Sequence, residues 1–433
     1  MDYPFSSLAK ASLIPSAINQ LTAEFAEDFR EGVDINLGVG YVNDKTIPVE
    51  AIREAYSDIM AHPDHYRNAL NYGGADGSPN LRNSIRSYYT RYNIGGLEEK
   101  DFTNRKILIG ANGATSILDA LSDILQPGIV ITADPYYYIY TETLERKGFK
   151  ILAVPEDAEG LNTALLENAL TKVDSNDISF FYIVTVNNPT TVVLSNARRK
   201  AIVKIAQRLS EESGKLIPVI FDKAYEDIIH NPELEKPVSG LKYDKWNQVF
   251  EVGTLSKILA PALRIGYIIC PDNDFAKILM QRTSDIGFSS PLINQEISGW
   301  LLDHYIHIQK EAVNSGYQQK ATFIKSQFAQ HLGPYIESYS GGDAAFYFYI
   351  TFKNIRTDKG SPFFNFLSRM TGDPDVDGKG EKNPRLVYIP GTICSKTEKA
   401  KYQLRLSYGF EDPDVFKRAV KLMAEACEYA LKF

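Results

Sequence analysis

From about residue 105 the chain alternates short, almost unbroken apolar runs with segments of helical periodicity, which restricts it to a small set of layered folds. The runs are KILIG (106–110), GIVITAD (128–134), KILAVP (150–155), ISFFYIVTV (178–186), LIPVIFD (216–222), QVFEVG (248–253) and RIGYIIC (264–270). A strand that is apolar on nearly every residue has no wet face, so these are expected in a sheet covered on both sides. The intervening segments are long enough for crossover helices. In ATSILDALSDIL, for example, Ile117, Leu118, Leu121, Ile124 and Leu125 share one helical face. The link from QVFEVG to RIGYIIC is too short for such a crossover, which predicts that the last strand runs antiparallel to its neighbours. The expectation is an α/β fold, a seven-stranded, mostly parallel sheet with one antiparallel strand and ligand sites at its strand ends.

Beyond about residue 315 the pattern changes. A helical stretch, QQKATFIKSQFAQHL, leads to AAFYFYITF (344–352), a loop-like MTGDPDVDGKGEKNPR (370–385), the strands LVYIP (386–390) and YQLRLSY (402–408), and a final helix from Asp414. Strands grouped beside helices predict a smaller α+β domain. The first forty or so residues show little sheet pattern and are expected to pack with it. The 433 residues accommodate this arrangement: an N-terminal arm or part of the small domain over 1–45, a large domain over 46–315, and a C-terminal small domain over 316–433.

Bulk properties exclude several classes. A formal net charge of −7 argues against nucleic acid or an anionic membrane as the main partner. Three cysteines without a CxxC pair argue against a disulfide framework and a cysteine-based zinc site. The start lacks the basic and apolar segments of a secretory signal, and no run approaches the ~18 apolar residues of a membrane span. The expected setting is the cytoplasm.

The chemistry-bearing residues follow strand ends. Asn188 comes after ISFFYIVTV, Asp222 ends LIPVIFD with Tyr225 three residues on, and Lys257 follows QVFEVG. In a sheet of this kind such positions line the ligand crevice. GANGATSIL joins a strand to a helix through small residues, so the amides of Gly113, Ala114 and Thr115 are expected to be free for an anion. Thr254 and Ser256 add hydroxyls and Arg264 a fixed positive fork. A lysine nucleophile, an anion cradle and a carboxylate for a ring nitrogen together describe a site for pyridoxal 5′-phosphate. Asp222 would keep the pyridine nitrogen protonated, Asn188 and Tyr225 would donate to the phenolic oxygen, and Lys257 would carry the Schiff base and shuttle a proton.

In order and spacing, these motifs resemble the class I/II aminotransferases of the fold-type-I PLP enzymes over nearly the whole chain. INLGVG (35–40) resembles the substrate-contact segment, with Gly40 at the matching glycine. YGGADGSPNLR (72–82) resembles the element whose tyrosine reaches the phosphate of a partner subunit, implying Tyr72 and a homodimer. NGAT matches the phosphate turn, and DPYYY (134–138) the segment whose aromatic stacks on the ring, pointing to Tyr137. NNPTT matches at Asn188, with Thr191 in place of a glycine. DKAY matches at Asp222 and Tyr225, and TLSKILAPALRIGY at Lys257 and Arg264, with Ala262 where glycine is common. YIPGTIC and RLSY match late elements, the second carrying Arg405 for the substrate α-carboxylate. The resemblance implies a large PLP-binding domain and a ping-pong aminotransferase working on an α-amino acid and a 2-oxo acid.

Two rival readings use the same residues. A β-lyase or another carbanion-forming enzyme would need the same cofactor site. A non-catalytic ligand-sensing module is weighed down by the full set of chemical residues and by the expectation that no DNA-binding domain is appended. Asp285, in RTSDIGFSSP (282–291), stands at the place where dicarboxylate-specific relatives carry a second arginine, and an acid there would repel a distal carboxylate. Other motifs carry less. Ser7 to Lys10 fits Ser-x-x-Lys without its downstream partners. GVG at 38–40 lacks a dinucleotide fingerprint. His304 and His307 share a helix face without a metal-site signature, so no metal is expected. AAFYFYITF reads as sheet core.

Overall fold

A computed structural model describes residues 3–26, 29–378 and 383–433. Residues 379–382 of the loop expected at 370–385 lie outside the described residues. The large sheet contains β1 (Arg105–Ile109), β2 (Ile129–Asp134), β3 (Lys150–Asp157), β4 (Gly160–Leu161), β5 (Ile178–Val184), β6 (Val219–Asp222), β7 (Val249–Thr254) and β8 (Gly266–Pro271). Their spatial order is β1-β8-β7-β6-β5-β2-β3-β4. All seven expected strands are present, and β8 pairs antiparallel with both β1 and β7. The eighth, β4, is a two-residue return antiparallel to β3, too short to leave a periodic signal.

The unbroken apolar runs have the expected cause. Phe180, Tyr182 and Val184 of β5 enter one core layer, Phe181 and Ile183 the other. Each face is thus covered, and within the strand only Ser179, near its start, stays partly exposed. The helix Gly113–Ile124 follows β1, and Leu125 falls just past its end in extended conformation.

A second, all-antiparallel sheet contains β9 (Ile336–Gly341), β10 (Tyr347–Phe352), β11 (Ile389–Pro390) and β12 (Gln403–Ser407), in the order β9-β10-β12-β11. Strand β9 was not expected from the sequence. It is an edge strand with a register shift near Ser338 and no buried residue, so its pattern is polar. LVYIP divides: Leu386–Val387 pairs in parallel with Ile35–Asn36, while β11 pairs with β12. The N-terminal segment is thereby stitched to the C-terminal part of the chain. The helical stretch ending at 332 begins earlier than expected, as one helix over Ile306–Gln327 continued by a π-turn to Leu332. The loop after Met370 contains a short helix, Pro374–Asp377.

Among the described residues, no helix is long and apolar enough to cross a membrane.

Candidate active site

The sheet order brings the carboxyl ends of β7, β6, β5 and β2 side by side. A cavity of about 150 Å³ opens at that edge, lined among others by Thr115, Tyr137, Asn188, Asp222, Lys257 and Arg264. Ala114, Tyr225, Thr254 and Ser256 complete the set of expected residues in its wall. Of the three consecutive tyrosines only Tyr137 lines it, while Tyr136 and Tyr138 are buried elsewhere. A larger cavity of about 690 Å³, beside Arg30 and Arg369, holds none of these groups.

Lys257 sits in the turn between β7 and β8. Its Nζ donates to the carbonyl of Gly40 at 3.2 Å and lies 5.8 Å from the rings of Tyr225 and Phe346. Burial, with the positive charges of Arg405 and Arg264, pulls its pKa down to about 8. A lysine in such surroundings is neutral often enough to act as a nucleophile near neutral pH.

Asp222 is buried at the end of β6. Tyr182 Oη donates to its Oδ2 at 2.7 Å, and the Ala224 N–H to its Oδ1 at 3.0 Å. Burial pushes its carboxyl up from the ordinary range, and the two donors oppose that shift. Tyr225 shares a hydrogen bond of 2.8 Å with Tyr347.

The anion end differs in detail from the expectation. The Gly113 amide is not free, because it donates to the carbonyl of Arg264 at 2.8 Å. Gly113 and Arg264 both adopt left-handed backbone, φ 68° and 56°, so this contact joins two tight turns. Thr254 Oγ1 donates to the Ile265 carbonyl at 2.8 Å and lies 3.0 Å from Ser256 Oγ, which shapes the turn carrying both hydroxyls. Arg264 is held by Asn112, Nε to Oδ1 at 2.7 Å, a partner the sequence did not single out. Gly266 lets the helix start approach, since a Cβ there would collide with the Ala114 amide.

Four expected residues lie outside the cavity wall: Gly113, whose amide is already spent, and Arg405, Gly40 and Tyr72. Arg405 of β12 is buried at its edge, with Nη1 donating to Asn188 Oδ1 at 2.8 Å and Nη2 to the Gly38 carbonyl at 2.6 Å. Among the described residues its Nε has no hydrogen-bond partner, so a donor remains for a carboxylate. Gly40 meets the site through its carbonyl on Lys257, and its missing side chain leaves room for the Tyr347 hydroxyl. Tyr72 does not line its own chain's cavity; it is 87% exposed, with its ring 6.3 Å from that of Phe288.

Sequence reasoning missed Tyr347, assigned with its strand to sheet core. It is both core and site. On β10 its ring lies 4.4 Å from the Arg405 guanidinium, and the alternation that puts residues 347 and 349 on the face of Arg405 was a usable signal. Tyr182 was missed likewise. Asp285 is exposed at a helix end, accepting from Gln281 at 2.8 Å, and does not line the cavity. His304 stacks on Trp300 at 4.5 Å. Among the described residues no group of three or more His, Cys, Asp and Glu side chains could hold a metal ion. The donor set at the strand ends therefore suits a phosphorylated pyridine aldehyde: a depressed lysine, one buried carboxylate, and a guanidinium with hydroxyls at the other end.

The family described as "Aminotransferase class I and II" matches residues 33–359. The chain belongs to the class I and II aminotransferases. The aromatic-amino-acid aminotransferase 1 of Thermococcus litoralis is 26% identical over 282 residues, 63% of this chain and 64% of that protein's length. The chain thus spans somewhat less than two thirds of that relative. The uncharacterized HTH-type transcriptional regulator YisV of Bacillus subtilis is 22% identical over 438 residues, 98% of this chain and 78% of the regulator. The multiple substrate aminotransferase of Thermococcus profundus superposes with a TM-score of 0.83 at 19% identity, covering 99% of this chain and 98% of that one. At that identity the likeness shows the aminotransferase fold alone.

Proposed function

We propose that this class I/II aminotransferase moves an amino group from an α-amino acid to a 2-oxo acid by a ping-pong route. The observation that carries the reading is the convergence of Lys257, Asp222 and Arg264 on one cavity, with Arg405 at its edge. Pyridoxal phosphate, when bound, supplies an aldehyde carbon for amine exchange and a ring that takes up the electrons released at the substrate Cα. Asp222 serves the ring nitrogen, Asn188 and Tyr225 the phenolic oxygen, and Tyr137 the ring face. Arg264, Ser256, Thr254 and the Gly113–Thr115 turn serve the phosphate, through the amides of Ala114 and Thr115. Arg405 orients the α-carboxylate beside Gly40, and Lys257 moves the proton at Cα.

The working form is a homodimer in which Tyr72 serves the partner's phosphate, a reading supported by its exposure outside its own chain's cavity. Three buried free cysteines suit the reducing cytoplasm. The division into 1–45, 46–315 and 316–433 remains the domain reading, with 315/316 falling inside the helix Ile306–Gln327.

The test is a panel of amino donors with 2-oxoglutarate and pyruvate as acceptors, read as cofactor absorbance. Stoichiometric conversion of the bound cofactor to its amine form by an amino acid alone is expected. Release of pyruvate and ammonia would turn the reading toward a lyase. Cofactor binding without turnover of any donor would turn it toward a sensing module.

A further inference from the structure

Strand β5 runs into the cavity edge with its side chains alternating between two apolar layers. In the layer that holds Phe180 and Val184, the residue between them is a tyrosine. Tyr182 is 0% exposed, and its ring meets that of Tyr140 edge-on at 4.7 Å. Tyr140 Oη is committed to the Leu118 carbonyl at 2.9 Å. Tyr182 Oη has a different acceptor, Oδ2 of Asp222, at 2.7 Å.

The parallel pairing of β5 with β6 sets Tyr182 opposite Ile220 and Val184 opposite Asp222, so Tyr182 and Asp222 are diagonal neighbours on one face. A phenol in such a layer is costly unless its proton is given to something, and phenylalanine would fill the same volume without that cost. Burial and the charge of Glu226 both raise the proton affinity of Asp222, whereas the Tyr182 hydroxyl and the Ala224 N–H lower it. The Tyr182 phenol is itself pushed well up by burial and by Asp222, so it stays the donor.

We propose that Tyr182 is a positioning residue for the cofactor's ring nitrogen, fixing the Asp222 carboxylate and keeping it ionised so that the shared proton stays on the ring. This rests on the reading of Asp222 as the ring-nitrogen partner. The physical argument concerns relative basicity. A proton between a pyridine nitrogen and a carboxylate lies on the more basic of the two, and a hydrogen bond donated to the carboxylate makes it the less basic. Asp222 alone, in this dry layer, would compete for that proton.

Tyr182→Phe removes one oxygen and keeps the ring, and the test compares it with Tyr140→Phe, which loses a buried hydroxyl that does not touch Asp222. Proton occupancy of the ring nitrogen is read by NMR of isotope-labelled cofactor in the holoenzyme, and cofactor affinity by titration of the apoenzyme. Tyr182→Phe is expected to lower ring-nitrogen protonation and weaken cofactor affinity about ten- to hundredfold, the worth of a hydrogen bond to a charged group. Tyr140→Phe should lower melting temperature only. In an Asp222→Asn background the Tyr182→Phe change should have no further effect on the ring nitrogen. Should Tyr182→Phe fold poorly, a ring-fluorinated tyrosine at 182 keeps the volume, strengthens the donor, and should move the proton further toward the ring. Equal ring-nitrogen signals in wild type and Tyr182→Phe, or no response to fluorination, would overturn the proposal. Failure of the wild-type chain to bind pyridoxal phosphate would instead overturn the underlying reading of the site.

Discussion

Arg405 of β12 and Asn188 in the turn after β5, 217 positions apart, are joined by a hydrogen bond of 2.8 Å from Nη1 to Oδ1. The bond fixes the guanidinium from the large-sheet side, while the Gly38 carbonyl fixes it from the N-terminal segment. A lysine would keep the charge and lose the planar fork. Arg405→Lys should therefore raise KM for the amino donor tenfold or more, with the absorbance of bound cofactor unchanged. An unaltered KM would remove Arg405 from substrate binding.

Lys257→Ala should abolish the Schiff-base absorbance and slow the half-reaction by about 10²–10⁴-fold, the usual range for a lost general acid–base group. Persistence of that band would mean that another lysine carries the link. The pKa of about 8 also sets a pH dependence. Because burial favours the neutral amine, the reactive fraction in the apoenzyme grows as pH rises, from roughly one-tenth at pH 7 to roughly nine-tenths at pH 9. Stopped-flow capture of cofactor should accelerate across that window. A rate flat from pH 7 to 9 would contradict it.

Gly266→Ala should weaken cofactor binding by more than it lowers melting temperature. The added Cβ would meet the Ala114 amide, forcing the start of the helix Gly113–Ile124 away from β8 and spoiling the anion cradle. Normal cofactor affinity in this variant would show that the helix start is not the phosphate site.

Thr191 adopts left-handed backbone, φ 57°, and its buried hydroxyl has no partner among the described residues. A β-branched residue there costs about 1–2 kcal/mol relative to glycine. Thr191→Gly is expected to raise the denaturation midpoint despite the greater freedom of glycine in the unfolded chain. A lowered midpoint would mean that the threonine packing outweighs the strain.

Behind the site, Lys223 Nζ lies 2.9 Å from Glu251 and 3.3 Å from Glu226, and Glu226 also pairs with Arg199. All are buried. Lys223→Ala leaves Glu251 without its counter-charge, while Glu226 keeps Arg199, and should cost about 3–5 kcal/mol in chemical denaturation. A loss below 1 kcal/mol would indicate that water or rearrangement replaces the ammonium.

Much of the architecture was written in local pattern. Runs such as ISFFYIVTV could only be doubly covered strands, and the short link after QVFEVG could only reverse the chain. The strand β9 escaped because an edge strand needs no apolar alternation to hold one neighbour. The division of LVYIP between two sheets escaped because five consecutive apolar residues look alike whether they serve one partner or two. At the candidate site, residues at strand ends were visible because chemistry-bearing types interrupt apolar runs there. Tyr182 and Tyr347 were invisible because a tyrosine inside an apolar strand looks like packing until its hydroxyl partner is known.

The sequence by itself determined the strand set, the reversal of β8 and the cluster of Thr254, Ser256, Lys257 and Arg264, because these depend on periodicity and spacing among covalent neighbours. Only the tertiary structure decided that the Gly113 amide is spent on Arg264, that Gly40 faces Lys257, and that a tyrosine on β5 holds Asp222. Those contacts join residues tens to hundreds of positions apart, and the packing that selects them is a property of the whole folded chain.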